Sequence, residues 1–455
     1  MLRRFATTTA APQKYKIVVV GGGTAGLSVA NQLYARFSGK LNKGDIAIIA
    51  RSSPRIRAWL TRNAPGFEPK PFLPAWFTIF YILDALSTIL AGWTLVGAGL
   101  KNKTETVRSL PSLVPDHITL ISDKVKSFSP ASSSVTTVEG RDISYENLVV
   151  AAGIKINWDG IKGLPAALMN ATSGVSSIYS YETADKVWSD IETLRAGNAV
   201  FTQPAGVIKC AGAPQKIMWM ARDRFKRSGR KIQVDFYTGM PTMFSVKKYS
   251  DALNDLRIAR GVGGFFGHNL VAIDESNHKA IFKKGEEEVS VDYTTLHVTP
   301  PMGPLDFIKQ SPIADAAGWV DVNPGTLRHN KPEFGNIWAL GDCSSLPTSK
   351  TAAAIIAQTP VLVENLFSVV DTGKLSPAIY DGYTSCPLLT GYNELMLAEF
   401  KYGLEPKETF FPQIDQSRPN RFFYHLKKDL FPWAYWQYHV KGKWFGTSGF
   451  IRPTY

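Results

Sequence analysis

One short stretch limits the architecture more than any other. Lys16-Ile17-Val18-Val19-Val20 runs directly into Gly21-Gly22-Gly23-Thr24-Ala25-Gly26. A continuous β-branched run is what a parallel strand buried on both faces requires. The glycines behind it have G-x-G-x-x-G spacing. Gly21 permits the tight turn, Gly23 lets the backbone approach a pyrophosphate, and Gly26 lets the next helix pack on the strand. A helical pattern follows over about residues 25–37, and residues 45–50 (DIAIIA) read as a second strand. The helix N-terminus, beginning at Thr24 and Ala25, offers N–H donors and a positive dipole end to phosphates. One part of the dinucleotide fingerprint is missing. Ala50 and Arg51 stand where an acid would hold the ribose hydroxyls.

Later segments repeat the theme. Residues 148–153 (LVVAAG) form an apolar strand ending in small residues, where Gly153 allows close backbone approach. Residues 198–203 open a second strand–turn–helix unit, with a helix over about 213–227 and a strand at 232–237. The turn between, 204–214, has no glycine fingerprint, which argues against NAD(P)H. It carries Cys210 instead. Residues 336–340 form a short strand ending at Gly341-Asp342, and Asp342 can accept from a ribityl hydroxyl. The helix that begins near Lys350 points its N-terminus toward the electron-rich end of a reduced flavin. Each piece alone is an ordinary strand–turn–helix. Together they predict an α/β fold of two Rossmann-like dinucleotide-binding domains, disulfide-reductase-like, with FAD as cofactor. The expected division is a leader at 1–13, a flavin domain from 14–165 and 295–400, a second Rossmann-like domain at 166–294, and a tail at 401–455.

A chain of 455 residues suits two or three domains. Its net charge of +13 is spread thinly, with no run like a nucleic-acid arm. Lipid and anionic substrates fit that charge better than nucleic acid. Arg3, Arg4 and Lys14 precede the first acid, Asp45, in the pattern of a mitochondrial transit peptide. Residues 71–90 are apolar except for Asp84 and nearly long enough to cross a bilayer, but Pro74 and Asp84 oppose a span. The whole stretch 54–90 interrupts the first domain and reads as an insertion or a translated non-coding segment, unneeded for catalysis. From 421 the tail interleaves aromatics with Lys427, Lys428, Lys441 and Lys443. That suits a surface lying in lipid headgroups, or a packed tail or dimer contact. The three cysteines, Cys210, Cys343 and Cys386, are too few for a disulfide scaffold and have no zinc spacing, so no metal is expected.

Several segments resemble the mitochondrial type of sulfide:quinone oxidoreductase over nearly the whole chain. They are residues 207–216 (VIKCAGAPQK), 297–302 (HVTPPM), 341–354 (GDC through KTAAA), 380–387 (YDGYTSCP) and 92–99 (GWTLVGAG). Relatives reach that last motif by a short loop holding an acid and a glutamine, which the 54–90 stretch replaces here. The resemblance implies that Cys210 and Cys386 are the redox cysteines. It implies that FAD is held by Gly21, Gly23, Thr24, Ala25, Gly26, Val125, Gly153, Asp342 and Lys350. Hydrogen sulfide would attack an oxidised bridge at Cys386, leave a persulfide there, and release Cys210 as an anion whose electrons pass to the flavin. A small acceptor (glutathione, sulfite or cyanide) would take the sulfur, and a ubiquinone-type quinone the electrons, at the mitochondrial inner membrane surface. Lys209 and the adjoining helix N-terminus favour a Cys210 thiolate. Cys386 precedes Pro387 in what reads as a turn-rich loop, and Cys343 reads as a buried small residue. The rival readings are an NAD(P)H:quinone oxidoreductase, a soluble disulfide reductase, and a non-catalytic membrane-bound relative.

Overall fold

A computed structural model of the chain describes residues 13–50, 86–88 and 92–455. The leader and the 54–90 stretch lie outside the described residues, apart from Gln13 and the short strand Leu86–Thr88.

The first sheet grows from the β-branched runs. Gln13–Val20 lies between Ile46–Ala50 and Asp142–Val150, all parallel, with Ile118–Ser122 outside Ile46–Ala50 and Ile337–Ala339 also on Asp142–Val150. The register sets Val18 beside Ala47 and Leu148, so the fully buried centres of three strands coincide. An antiparallel pair, Val125–Ser129 and Ser134–Thr137, extends the sheet. The helices Thr24–Arg36 and Ala352–Thr372 pack together beside it, and Arg36 clasps Glu364 through two bonds of 2.8 and 2.9 Å. Ala352–Thr372 is long and apolar enough to cross a membrane, yet Leu362 and Leu366 are fully buried in the core. Thr351 caps it by accepting from the Ala354 N–H at 3.0 Å.

The second sheet has five parallel strands in the order Val175–Ser176, Thr295–His297, Asn198–Gln203, Gln233–Thr238 and Gly263–Phe266. The helix Ala213–Arg227 covers it and buries Ile217, Met218 and Trp219 completely. A hairpin, Thr384–Gly391 with Glu394–Phe400, puts Cys386, Leu388, Met396 and Ala398 into that same core. Cys386 is therefore on a strand opposite Ala398, not in a turn-rich loop. Pro387 is tolerated because a two-strand hairpin leaves free edges where a missing N–H breaks no ladder.

The tail is a run of alternating α and π turns from Arg421 to His439. Of the two readings of the tail, a lipid-facing surface and a packed segment, the packed one describes one of its faces. One face is welded to the first helix: Tyr435 and Thr24 hydroxyls meet at 2.8 Å, Ser28 Oγ donates to the His439 carbonyl at 2.7 Å, and Gln32 Nε2 donates to the Trp444 carbonyl at 2.8 Å. The other face leaves Phe422 and Trp433 about half exposed, at 49% and 50%.

Candidate active site

The first strand–turn–helix junction is shaped by its glycines. Gly21 has φ +114° and packs so closely on Ala151 that a Cβ would meet its carbonyl oxygen at 2.3 Å. A Cβ on Gly26 would lie 1.8 Å from the Gly21 oxygen, so helix and turn touch only because both are glycine. Gly23 differs: nothing lies within 4 Å of its notional Cβ, which leaves open space over the helix N-terminus. Gly341 packs on Ala25, bringing Asp342 to the same edge, and Gly153 also borders open space at φ +81°. Val125 begins its strand just after the end of Ile118–Ser122, with its side chain in the core, so only its backbone is available to a ligand. Lys350 is buried and Asp342 half-buried; desolvation raises the Asp342 carboxyl, partly countered by Lys350 and Lys209. Lys350 donates to the Ser344 carbonyl at 2.9 Å and sits 4.3 Å from the centre of the Trp319 ring.

The second junction carries the sulfur chemistry. Cys210 takes a left-handed φ of 53°, and its N–H donates to the Lys350 carbonyl at 2.8 Å. That bond ties the second domain's turn to the start of Ala352–Thr372. Gly212 faces the hairpin so closely that a Cβ there would meet Cys386 Sγ at 2.5 Å and Leu388 at 2.4 Å. The two thiols lie within hydrogen-bonding contact of each other. The hydrogen bond from Cys386 holds Cys210 well below the usual thiol range against the cost of burial, with help from the Lys216 and Lys427 charges. Cys386 is pushed up by the same bond and by burial, so it keeps the shared proton. Cys343 lies apart in the core, and burial raises it to about 11.

Two lysines that sequence reasoning did not place here complete the site. Lys216, only 2% exposed, donates to Cys210 Sγ at 3.2 Å. Burial pulls its pKa down, but the Cys210 and Cys386 sulfurs carry it above the ordinary lysine value. Lys427 belongs to the tail and was expected among headgroups. It is 4% exposed and turned inward, and burial and the nearby Lys216 lower it to about 7. Lys209, the sequence neighbour, is lowered by burial to about 8, with Asp342 and Cys210 acting to raise it. A cavity of about 450 Å³ joins these groups. It is lined by Thr24, Cys210, Lys216, Asp342, Lys427 and His439, among others. Among the described residues no cluster of His, Cys, Asp or Glu is arranged to hold a metal.

These features fit FAD. The open space over Gly23 meets a helix N-terminus, as a pyrophosphate needs, and the half-buried Asp342 offers an acceptor where a ribityl chain would pass. Comparisons with known proteins agree with this geometry. Residues 15–359 match the family described as pyridine nucleotide-disulphide oxidoreductase. The mitochondrial sulfide:quinone oxidoreductase of Schizosaccharomyces pombe is 46% identical, with 100% of this chain and 95% of that protein covered. Two solved structures, each 18% identical, share the fold. One is the sulfide:quinone oxidoreductase of Aquifex aeolicus, with a TM-score of 0.69 covering 92% of this chain and 91% of that one. The other is a chain of the Tetrahymena thermophila mitochondrial ATP synthase structure, with a TM-score of 0.77 covering 98% and 100%. Together, the paired cysteines, the glycine cradle and the full-length similarity show that the chain belongs to the pyridine nucleotide-disulphide oxidoreductase family and, within it, to the mitochondrial sulfide:quinone oxidoreductases.

Proposed function

We propose that this chain oxidises hydrogen sulfide at the Cys210–Cys386 pair and passes the two electrons through FAD to a quinone. The observation that carries the reading is the facing pair of sulfurs, with a lysine 3.2 Å from the one that must carry negative charge. The cycle starts from the oxidised pair, joined by a sulfur–sulfur bond. Hydrosulfide attacks Cys386 Sγ. A new S–S bond forms there, the bond to Cys210 breaks, and its electron pair leaves on Cys210 as a thiolate. Lys216 and Lys427 stabilise that leaving sulfur, which is the role their placement supports. Cys386 keeps a persulfide, and its outer sulfur passes by a second exchange to a nucleophile such as glutathione, sulfite or cyanide. Gly21, Gly23, Thr24, Ala25, Gly26, Asp342 and Lys350 would hold FAD, with Gly153 and the Val125 backbone beside it. When bound, FAD would accept the two electrons released as the Cys210 thiolate re-forms a sulfur–sulfur bond with the Cys386 side, restoring the oxidised pair, and would pass them to the quinone.

The rival NAD(P)H reading has little support. The second junction, where a nicotinamide dinucleotide would need its pyrophosphate turn, is filled against Gly212 by the hairpin. The named relatives are mitochondrial, and we place this chain in that organelle. The outer face of the tail, with Phe422, Leu430 and Trp433 exposed, suits peripheral attachment to the inner membrane. Mass spectrometry of the purified protein, exposed to sulfide without an acceptor, tests the chemistry. One added sulfur on the peptide containing Cys386 is expected. Sulfide-dependent quinone reduction with no sulfur added to either cysteine would contradict it.

A further inference from the structure

The hairpin that carries Cys386 has a second face. Cys386 and Ala398 point into the core, and the next pair along, Ser385 and Glu399, points the opposite way. That opposite face lines the cavity with Tyr383, Pro387 and Leu397. Glu399 is 4% exposed. One of its oxygens accepts from the Tyr383 hydroxyl and from Thr409 Oγ1 at 3.0 Å. The other accepts from the Thr409 N–H at 2.8 Å and from Gln416 Nε2 at 2.9 Å. All four donors are neutral, and among the described residues no cation pairs with the carboxyl group. Other sheltered acids of this protein are treated differently. Glu408 is held by Lys248 at 2.8 Å, Asp123 by Arg141 at 2.9 Å and Asp190 by Lys186 at 3.0 Å. Asp342, also on the cavity wall, has the charges of Lys350 and Lys209 beside it. A buried charge with no counter-charge is costly, and unpaired acids in clefts are where enzymes handle protons.

The reaction creates a demand for protons. Hydrosulfide and a thiolate acceptor combine to a persulfide, HS⁻ + RS⁻ → RSSH + 2e⁻, and release no proton. A quinone that takes the two electrons also takes two protons to become the quinol. Both protons must enter the cavity from outside. Glu399 stands where they would enter. Thr409, which holds its carboxyl group, is the chain neighbour of Glu408, and the Lys248 side chain on Glu408 is 35% exposed. Solvent therefore lies one residue beyond the acid, and the cavity lies on its other side. Burial and the Glu399 carboxylate hold the Tyr383 phenol well above its ordinary value, so Tyr383 remains a donor and does not compete for the proton.

We propose that Glu399 supplies the cavity with the protons that the reduction half of the cycle consumes. This rests on the sulfide:quinone reading. Its carboxylic acid gives up a proton toward the acceptor of the electrons, the O–H bond breaks, and the carboxylate left behind takes the next proton from solvent, twice in each turnover. The test uses full-length, flavin-loaded protein, reduced with dithionite and mixed rapidly with a short-chain ubiquinone, so that sulfide plays no part. Glu399→Gln keeps the shape of the side chain and still accepts from Tyr383. Its flavin should be reoxidised about tenfold to a hundredfold more slowly, and added acetic acid or imidazolium should restore the rate in proportion to its concentration. Glu399→Asp should recover part of the rate. Infrared spectra, reduced minus oxidised, should show a carboxyl band in the wild type that Glu399→Gln lacks. Reoxidation of Glu399→Gln within about twofold of the wild type, or a slower rate that no weak acid restores, would overturn the proposal by leaving the acid a structural tie. If that variant does not fold, the wild type decides. A solvent deuterium isotope effect on reoxidation together with the carboxyl band supports the proposal, and absence of either overturns it. Wild-type protein that sulfide fails to reduce refutes the sulfide reading instead, and the dithionite experiment still decides the role of Glu399.

Discussion

The molecule contains two strand–turn–helix junctions of the same kind, and they are built for opposite purposes. At the first, Val20 turns through Gly21–Gly23 into Thr24–Arg36, and the space over Gly23 is open. At the second, Gln203 turns through a longer loop into Ala213–Arg227, and the space over Gly212 is filled by Cys386 and Leu388. One junction exposes backbone N–H groups to a ligand. The other carries a thiol in a left-handed conformation and closes a second sulfur over it. The same local topology thus serves a cofactor phosphate or a redox pair, and what differs is which part of the fold lies over the helix N-terminus. A helix dipole favours negative charge at both, a phosphate in one case and a thiolate in the other.

The largest effects should come from the second junction. Cys210→Ser and Cys386→Ser should each lower sulfide-dependent quinone reduction by about 10³-fold or more, since both sulfurs act as a unit. Steady-state assays of flavin-loaded protein check this, and near-normal turnover in either variant would break the comparison. The next test uses the glycines. Gly23→Ala should lose flavin affinity by about tenfold to a hundredfold, because a methyl group enters the open space, while circular dichroism stays unchanged. Gly212→Ala should do the reverse: keep the flavin, and displace the hairpin so that thiol pairing fails. Flavin content and the rate of disulfide formation in each variant separate the two.

The lysines give smaller, pH-dependent effects. Lys216→Met should slow alkylation of reduced Cys210 by about tenfold or more at neutral pH. Lys427 sits near 7, so it is cationic below that pH and neutral above it. Lys427→Met should therefore slow alkylation several-fold below about pH 7 and progressively less above it. Its stability sign is opposite. Because the folded pKa is below the unfolded value of about 10.4, the unfolded chain binds more protons between about pH 7 and 10, and stability rises with pH across that window. Removing the lysine should then raise Tm at neutral pH by a few degrees, measurable by calorimetry. An effect of Lys427→Met that does not vary with pH would show that its charge is not what matters.

The smallest effect should be at the third sulfur. Cys343 Sγ lies 3.4 Å from the Val150 carbonyl and 3.5 Å from that of Leu340, both able to accept from a hydroxyl. Cys343→Ser should leave turnover within about twofold and cost about 1 kcal/mol of stability.

Much of this was legible before any coordinates. The strand Asn198–Gln203 and the helix Ala213–Arg227 have the bounds their patterns predicted, because strong periodicity and a proline at the helix start agree. The glycine turn and the position of Cys210 just before the second helix were also readable, since local spacing encodes them. The strand around Cys386 was not, because Pro387 mimics a turn when its hairpin partner is unknown. The inward lysines were hidden for a different reason. Lys216 lies on a helix and Lys427 in an aromatic tail, where lysine usually faces water or headgroups. Only the docking of the tail onto the first helix, through Thr24, Ser28 and Gln32, turns Lys427 toward the sulfurs, and no local pattern predicts that docking. A run such as Gln215-Lys216-Ile217-Met218, apolar on both sides of one charge, was the available signal for Lys216.

The account's central claim is that two distant cysteines pass electrons from sulfide to a flavin without a nicotinamide. Anaerobic absorbance titration of the purified protein tests it most directly. Sulfide should bleach the visible flavin band in the wild type at near-stoichiometric addition, with no bleaching in Cys210→Ser, and NADH should leave the spectrum of both proteins unchanged. Rapid bleaching by NADH, or full bleaching of Cys210→Ser by sulfide, would contradict it.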